Sequence, residues 1–120
     1  MEITMLKSKL HQATVTGASV DYEGSLTIDK EWMDKIGLLP YERVSCGNIS
    51  NGARFETYAI AGEYGSRQLV LNGATARLGR VGDRLTIMAF ARVPLEEAGS
   101  MEPKVLILGD KNQIEREGTM

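Results

Sequence analysis

Residues 21–29 of the chain read DYEGSLTID, and within this stretch two extended segments are joined by the dipeptide Gly24-Ser25. The alternation of apolar and polar residues stops near Tyr22 and resumes at Leu26. Glycine weakens the interior of a strand and usually marks a bend or a close approach of the backbone. We therefore predict that the chain bends at this dipeptide, between two extended segments.

The residues that follow predict one short helix in a chain of short strands. Asp29 is a suitable N-cap for the segment KEWMDKI (30–36), and Gly37 is a suitable C-terminal stop. Thirteen glycines separate segments rich in Val, Ile, Leu, Thr and Tyr, a rhythm typical of small barrels and sandwiches. Because the helices are too few and too short for alternating βαβ units, we predict a mainly β, small barrel with short helices.

The other segments follow the same rhythm. Extended segments are predicted over residues 3–16, 18–28, 42–49, 53–61, 67–71, 84–92 and 104–108, and short helical turns over 74–79 and 96–99. The pair Asn51-Gly52 predicts a tight two-residue hairpin turn, because both central positions of such a turn require positive φ. The polar tail from Asp110 is expected to be loosely held at its end.

The composition excludes several classes of partner. A chain of 120 residues forms a single domain. With 14 basic and 16 acidic residues its net charge is −2, so neither nucleic acid nor an anionic membrane is predicted as a partner. The start lacks the apolar block of a signal peptide, no stretch is long enough to span a bilayer, and the lone Cys46 allows no internal disulfide. A cytoplasmic location is expected.

The usual enzyme motifs are missing from the sequence. One histidine, His11, and one cysteine, Cys46, do not predict a metal site. We interpret the histidine as a surface or interface residue and the cysteine as a small buried one. No phosphate loop, dinucleotide fingerprint or GxSxG elbow is present.

The dipeptide Gly24-Ser25 offers a different chemistry. A serine hydroxyl can attack the carbonyl of the preceding residue when the peptide is held bent, and glycine permits this because it has no Cβ to clash. The peptide bond would shift to an ester, and elimination of the ester would leave a pyruvoyl group. Since the hydroxyl is a weak nucleophile, it needs a hydrogen-bond donor on the developing oxyanion.

Several motifs together resemble the pyruvoyl-dependent aspartate 1-decarboxylase family. They are MLKSKLHQATVT (5–16), YEGSLTID (22–29), NGARFETYAI (51–60), NGATA (72–76) and VGD (81–83), in the family's order and spacing. The resemblance implies one domain over residues 1–120 with a six-stranded double-psi β-barrel. It also implies a homotetramer with active sites between neighbouring subunits, which converts L-aspartate to β-alanine and carbon dioxide and so supplies pantothenate and coenzyme A.

The same resemblance assigns roles to individual residues. Self-cleavage between Gly24 and Ser25 would give chains 1–24 and 25–120, with a pyruvoyl cofactor formed from Ser25 and no metal. Whether an accessory maturation factor takes part stays open. Tyr58 would donate a proton, and Thr57 and Asn72 would assist maturation. The substrate-binding positions implied are Lys9, Tyr22, Arg54, Thr57, Asn72, Gly73, Ala74 and Thr75.

The chemistry of these residue types suits the roles. The planar guanidinium of Arg54 can grip a carboxylate at two points, and Lys9 can make a point contact. The stronger anchor should hold the carboxylate that is retained, because gripping the departing one would stabilise the ground state. Thr57 and Tyr58 point to opposite faces of a regular strand. Both can serve one site only if the strand twists or bulges, or if the site lies at a subunit boundary.

Three residues depart from the family's pattern. Gly47 stands where some members carry tryptophan, Thr75 replaces the second alanine of the more usual NGAA, and Asp21 stands where histidine or asparagine is common. Two alternatives therefore remain open. One is a pyruvoyl decarboxylase for another acidic amino acid such as glutamate, and the other is an uncleaved double-psi barrel that serves as a binding module.

Overall fold

The computed structural model describes residues 1–120, which form a mainly β fold with short helices, as predicted. Its nine strands are β1 (Glu2–Thr14), β2 (Gly17–Ser19), β3 (Leu26–Asp29), β4 (Arg43–Asn48), β5 (Arg54–Gly62), β6 (Leu69–Asn72), β7 (Arg84–Pro94), β8 (Lys104–Leu108) and β9 (Ile114–Gly118). The helices are α1 (Lys30–Ile36) and α2 (Leu95–Ala98), with 3₁₀ helices at Gly73–Arg77 and Asp110–Asn112. No helix is long and apolar enough to cross a membrane.

The strands form one mixed sheet in the order β2-β6-β3-β5-β4-β7-β1-β8-β9. Only two residues, 15 and 16, separate β1 from β2 in the chain. They connect β1 with the end of the strand order at which β2 lies beside β6. The amide of Thr16 donates to the carbonyl of Leu69 in β6 at 2.8 Å. Six consecutive strands, from β6 to β1, are thereby joined into a small barrel, and the three other strands flank them.

The core fills the barrel and the space beneath α1. Leu10, Leu26 and Ile87 point inward from three strands, and Trp32 packs from the helix, each at most 1% exposed. The helix begins and ends as predicted. The Asp29 side chain accepts the amide of Glu31, and Gly37 ends the helix in the left-handed conformation at φ 68°.

The predicted two-residue turn between β4 and β5 was wrong. The loop between β4 and β5 has five residues (49–53), and of the pair Asn51-Gly52 only the glycine has positive φ. The side chain of Asn48 accepts the amides of Ser50 and Asn51 at 2.9 and 3.3 Å, which favours this wider loop over a tight turn. The hairpin itself is confirmed, because β4 and β5 pair antiparallel.

The polar tail is a strand and not a loose end. Residues Ile114–Gly118 form β9, which pairs antiparallel with β8. The chain reverses through Lys111 and Asn112, both with positive φ. The Asn112 side chain accepts the amide of Thr14 at 2.8 Å and donates to the carbonyls of Thr14 and Arg67. These partners are distant in sequence, so no local pattern marks the turn.

We expect the free energy of unfolding to depend strongly on the buried carboxylate of Asp29. It accepts the amides of Glu31, Gly65 and Arg67 at 2.7–2.9 Å, which ties α1 to the loop after β5. Asp29→Ala should lower the free energy of unfolding by about 3 kcal/mol, because the helix N-cap and two loop amides lose a charged acceptor.

Urea unfolding at one fixed protein concentration would measure this change. Asp34→Ala is the control, because Asp34 is exposed and pairs only with Lys30 within the same helix. Equal stability of the two variants would contradict the anchoring role of Asp29.

Candidate active site

Ser25 lies immediately before β3, between two other strands. The next residue, Leu26, pairs with Ala59 of β5 in parallel and with Leu71 of β6 antiparallel. The carbonyl of Ser25 accepts a hydrogen bond from the backbone amide of Asn72 at 2.8 Å. The extended segment predicted over residues 18–28 was wrong in its middle, because residues 20–25 form no strand and regular pairing begins only at Leu26.

The turn that follows β6 packs against this bend. Asn72 is buried, and its side-chain amide donates to the hydroxyl of Thr27 at 2.9 Å. Gly73 has φ 60°, and a Cβ added there would lie 3.7 Å from the carbonyl oxygen of Gly24. The Thr75 hydroxyl lies 2.6 Å from the carbonyl oxygen of Asn72 and 3.4 Å from that of Ser25. Sequence positions separated by about fifty residues thus meet at one point.

A cavity of about 410 Å³ opens beside Gly24. Its lining residues are Tyr22, Glu23, Gly24, Tyr41, Tyr58 and Ile60. Gly24 is buried, and a Cβ added to it would lie 2.6 Å from a ring carbon of Tyr22 and closer still to the end of Ile60. Its φ is not positive, so a side chain at this position would displace these neighbours but would not strain a left-handed backbone.

Tyr41 in this cavity was missed by the sequence analysis. Its side chain is 78% exposed and its φ is 72°, a conformation that is strained for a bulky residue. The backbone is held there because the amide of Tyr41 donates to the carbonyl of Ala59 at 2.7 Å. Nothing in the sequence around Tyr41 indicates that it lies beside Gly24.

The structure brings some of the predicted residues together and leaves others apart. Tyr22, Gly24 and Tyr58 share the cavity, and the turn from Asn72 to Thr75 contacts Ser25 from the other side. Within this turn Ala74 is exposed. Arg54 instead lines a second cavity, of about 310 Å³, together with Gly47 and Thr86. Neither Arg54 nor Lys9 lines the cavity at Gly24.

Lys9 and Arg54 lie on one outward face of the sheet. Lys9 on β1 pairs with Met88 on β7, which pairs with Ser45 on β4. Arg54 on β5 pairs with Gly47 on β4. Residues in alternate positions of these strands are buried, so these cations belong to the face that is turned away from the core.

Thr57 and Tyr58 point to opposite sides of β5. The pairing of β5 with β4 is regular through both residues, with Val44 opposite Thr57 and Arg43 opposite Tyr58. Since no bulge interrupts the strand, the alternation of side chains holds there. The strand bulge that would let both residues serve one site is therefore absent.

His11 and Cys46 do not line the cavity at Gly24. The ring nitrogen Nδ1 of His11 lies 3.1 Å from the hydroxyl of Thr86. Partial burial, with the charges of Lys9 and Arg84, lowers the pKa of His11. Complete burial raises the pKa of the Cys46 thiol to about 12, so the thiol stays protonated and unreactive, as expected for a small core residue.

The packing around Gly24 generates a prediction about stability. In a Ser25→Ala background, where the expected cleavage is blocked, Gly24→Ala should lower the free energy of unfolding by about 2 kcal/mol through overpacking. Adding Ile60→Val, which removes the nearest carbon, should restore part of that loss. Gly99→Ala is the control, because nothing lies within 4 Å of a Cβ added there. Equal urea midpoints for Gly24→Ala and Gly99→Ala would contradict the close packing.

Comparisons with known proteins identify the family of the chain. The sequence profile of the aspartate decarboxylase family matches residues 1–115. An aspartate 1-decarboxylase of Clostridium botulinum is 52% identical over 116 residues, covering 97% of this chain and 91% of the relative. A Clostridium acetobutylicum protein of the same name is 52% identical over 114 residues, covering 95% of this chain and 90% of the relative. One from Maricaulis maris is 47% identical over 114 residues, covering 95% and 94%. The chain belongs to the aspartate decarboxylase family.

Proposed function

We propose that the chain is a pyruvoyl-dependent aspartate 1-decarboxylase, which converts L-aspartate to β-alanine and carbon dioxide. The observation that supports this function best is the packing around the Gly24-Ser25 peptide. A side chain on Gly24 would displace the end of Ile60 and the ring of Tyr22, and the Ser25 carbonyl accepts the Asn72 amide at 2.8 Å. The product would supply pantothenate and coenzyme A, in the cytoplasm, where a lone thiol such as Cys46 stays reduced.

Maturation begins when the Ser25 hydroxyl attacks the carbonyl carbon of Gly24. The carbon–nitrogen bond breaks as the carbon–oxygen bond forms, and the hydroxyl proton passes to the serine nitrogen. The resulting ester then loses the Cα proton of Ser25 and expels the Gly24 carboxylate. Water replaces the amine with a keto oxygen, and ammonia leaves. The products are chains 1–24 and 25–120, the second with a pyruvoyl end.

The residues around Ser25 suit such a group. Its amide oxygen would be the present Ser25 carbonyl oxygen, already within reach of the Asn72 amide. Thr57 and the Asn72 side chain are neutral hydrogen-bonding groups that can assist the cleavage. When formed, a pyruvoyl group supplies an electron sink for the carbanion that remains as carbon dioxide departs. The Tyr58 hydroxyl, in the cavity beside Gly24, would return a proton to Cα.

Substrate binding requires cations that a single chain does not place at Gly24. We assign this task to Lys9 and Arg54 of a neighbouring subunit in a homotetramer. Both lie on an outward face of the sheet, and on that face β7 also exposes Phe90, at 47%. An exposed aromatic side chain on this face favours its burial against another copy of the chain. Arg54 would hold the retained carboxylate and Lys9 would contact the other.

Two alternatives stay distinguishable by experiment. Glutamate carries the same two carboxylates as aspartate, and the same cations could hold it if the site were longer. An uncleaved barrel would serve for binding alone. A maturation factor would change the rate of cleavage without changing its position.

The cofactor is tested by intact mass spectrometry of the denatured protein. We expect two chains, 1–24 and 25–120, with the second bearing a carbonyl in place of its terminal amine. Ser25→Ala should give one uncut chain that forms no β-alanine from aspartate. The control is Ser66→Ala, an exposed serine in the loop after β5, which should cleave like the unchanged chain. An uncut chain that decarboxylates aspartate would overturn the mechanism.

The shared site is tested by combining two inactive variants. Ser25→Ala lacks the cofactor, and Arg54→Ala lacks the anchor. If each site takes Ser25 from one chain and Arg54 from its neighbour, hybrids of equal composition should regain roughly a quarter of the activity.

The control for this experiment pairs Ser25→Ala with the double variant Ser25→Ala, Arg54→Ala, which should remain inactive. Hybrids of the single variants that stay inactive would argue that both residues act within one chain, or that Arg54 does not bind substrate.

A further inference from the structure

The hydroxyl of Thr75 faces two carbonyl oxygens inside the site. Thr75 is 7% exposed, and its Oγ1 lies 2.6 Å from the Asn72 oxygen and 3.4 Å from the Ser25 oxygen. A threonine hydroxyl has one proton to donate, so at rest the nearer oxygen receives it. Rotation about the Cβ–Oγ bond redirects that proton to Ser25 without moving any heavy atom.

The Ser25 carbonyl has room for a second donor. It accepts the Asn72 amide at 2.8 Å, and a carbonyl oxygen carries two lone pairs. We propose that the Thr75 hydroxyl and the Asn72 amide form a two-donor oxyanion site for the Ser25 carbonyl. This inference rests on the proposed function, and it assigns Thr75 to the elimination step of maturation.

Elimination is the step that places charge on this oxygen. As a base removes the Cα proton of Ser25, the electron pair of the C–H bond delocalises onto the adjoining carbonyl oxygen. The pair then returns to form the Cα–Cβ double bond, and the bond from Cβ to the ester oxygen breaks to release the Gly24 carboxylate. Donors fixed at the oxygen stabilise the intermediate charge, and they do so most effectively where water is excluded.

The surroundings hold both donors in place. Asn72 is 3% exposed, and its side chain is engaged with Thr27, so the backbone amide that faces Ser25 is fixed. Thr75 belongs to the 3₁₀ helix that begins at Gly73, directly after Asn72. After maturation the same oxygen belongs to the amide next to the keto carbon, so the two donors would also face the electron sink.

The role is tested by comparing Thr75→Val with Thr75→Ser. Valine keeps the branched shape and removes the hydroxyl, whereas serine keeps the hydroxyl. Freshly purified chains are incubated, and samples are treated briefly with hydroxylamine at neutral pH, which cuts the ester but leaves peptide bonds intact, including Asn51-Gly52 and Asn72-Gly73. Intact masses then give the fractions of uncut chain, ester and mature chains over time. Ester formation and elimination are thereby measured separately, without any assay of decarboxylation.

We expect elimination to slow roughly tenfold in Thr75→Val, since one of two donors is lost, and ester to accumulate. Thr75→Ser should follow the unchanged chain. If valine slows ester formation and elimination equally, Thr75 merely supports the turn and the inference is wrong. Equal ester fractions in the valine and serine variants would also overturn it.

A further variant and the parent chain complete the design. Thr75→Ala removes the hydroxyl without a branched carbon, so agreement between alanine and valine excludes a packing artefact as the cause of a slow elimination. A disagreement between them would count against the hydroxyl. If the unchanged chain forms neither ester nor fragments, the proposed function fails, whereas a difference between variants is informative only about Thr75.

Discussion

Strand β3 is anchored at both ends, and the site depends on this constraint. At its start the Ser25 carbonyl accepts the amide of Asn72, and at its end the Asp29 carboxylate accepts the amides of Gly65 and Arg67. Between these anchors the strand has only four residues, paired on both sides with β5 and β6. A short strand held in this way cannot slide, so the Gly24-Ser25 peptide has a fixed position relative to the turn after β6.

The groups that this constraint holds against the Gly24-Ser25 peptide are neutral. Ser25 is contacted by a backbone amide and a threonine hydroxyl, and the side chains of Ile60 and Tyr22 lie closest to the position of a Cβ on Gly24. Burial strengthens such hydrogen bonds, whereas an unpaired ion would be costly there. The arrangement therefore suits charge that develops briefly on a carbonyl oxygen.

Features that depend on neighbouring residues, such as helix ends and strand segments, could be predicted from the sequence. The caps Asp29 and Gly37 fix the ends of α1, as the sequence indicated, and the predicted extended segment 84–92 lies within β7. The turn at Asn112 and the contact of Thr75 with Ser25 depend on partners 98 and 50 residues away. Such contacts have no local signature, so the residues of the site could be grouped beforehand only through the family resemblance.

The separation of Arg54 and Lys9 from Gly24 has a consequence for specificity. Within one chain these cations lie on the outward face of the sheet, while the Gly24-Ser25 peptide lies beside a different cavity. In the proposed homotetramer the distance from the pyruvoyl group to the anchoring cation is then set by how two subunits meet, and not by any single loop. Discrimination between aspartate and a longer acidic amino acid thus becomes a property of the interface. Because neutral groups of one chain contact Ser25, the proposed maturation and the choice of substrate would depend on different residues.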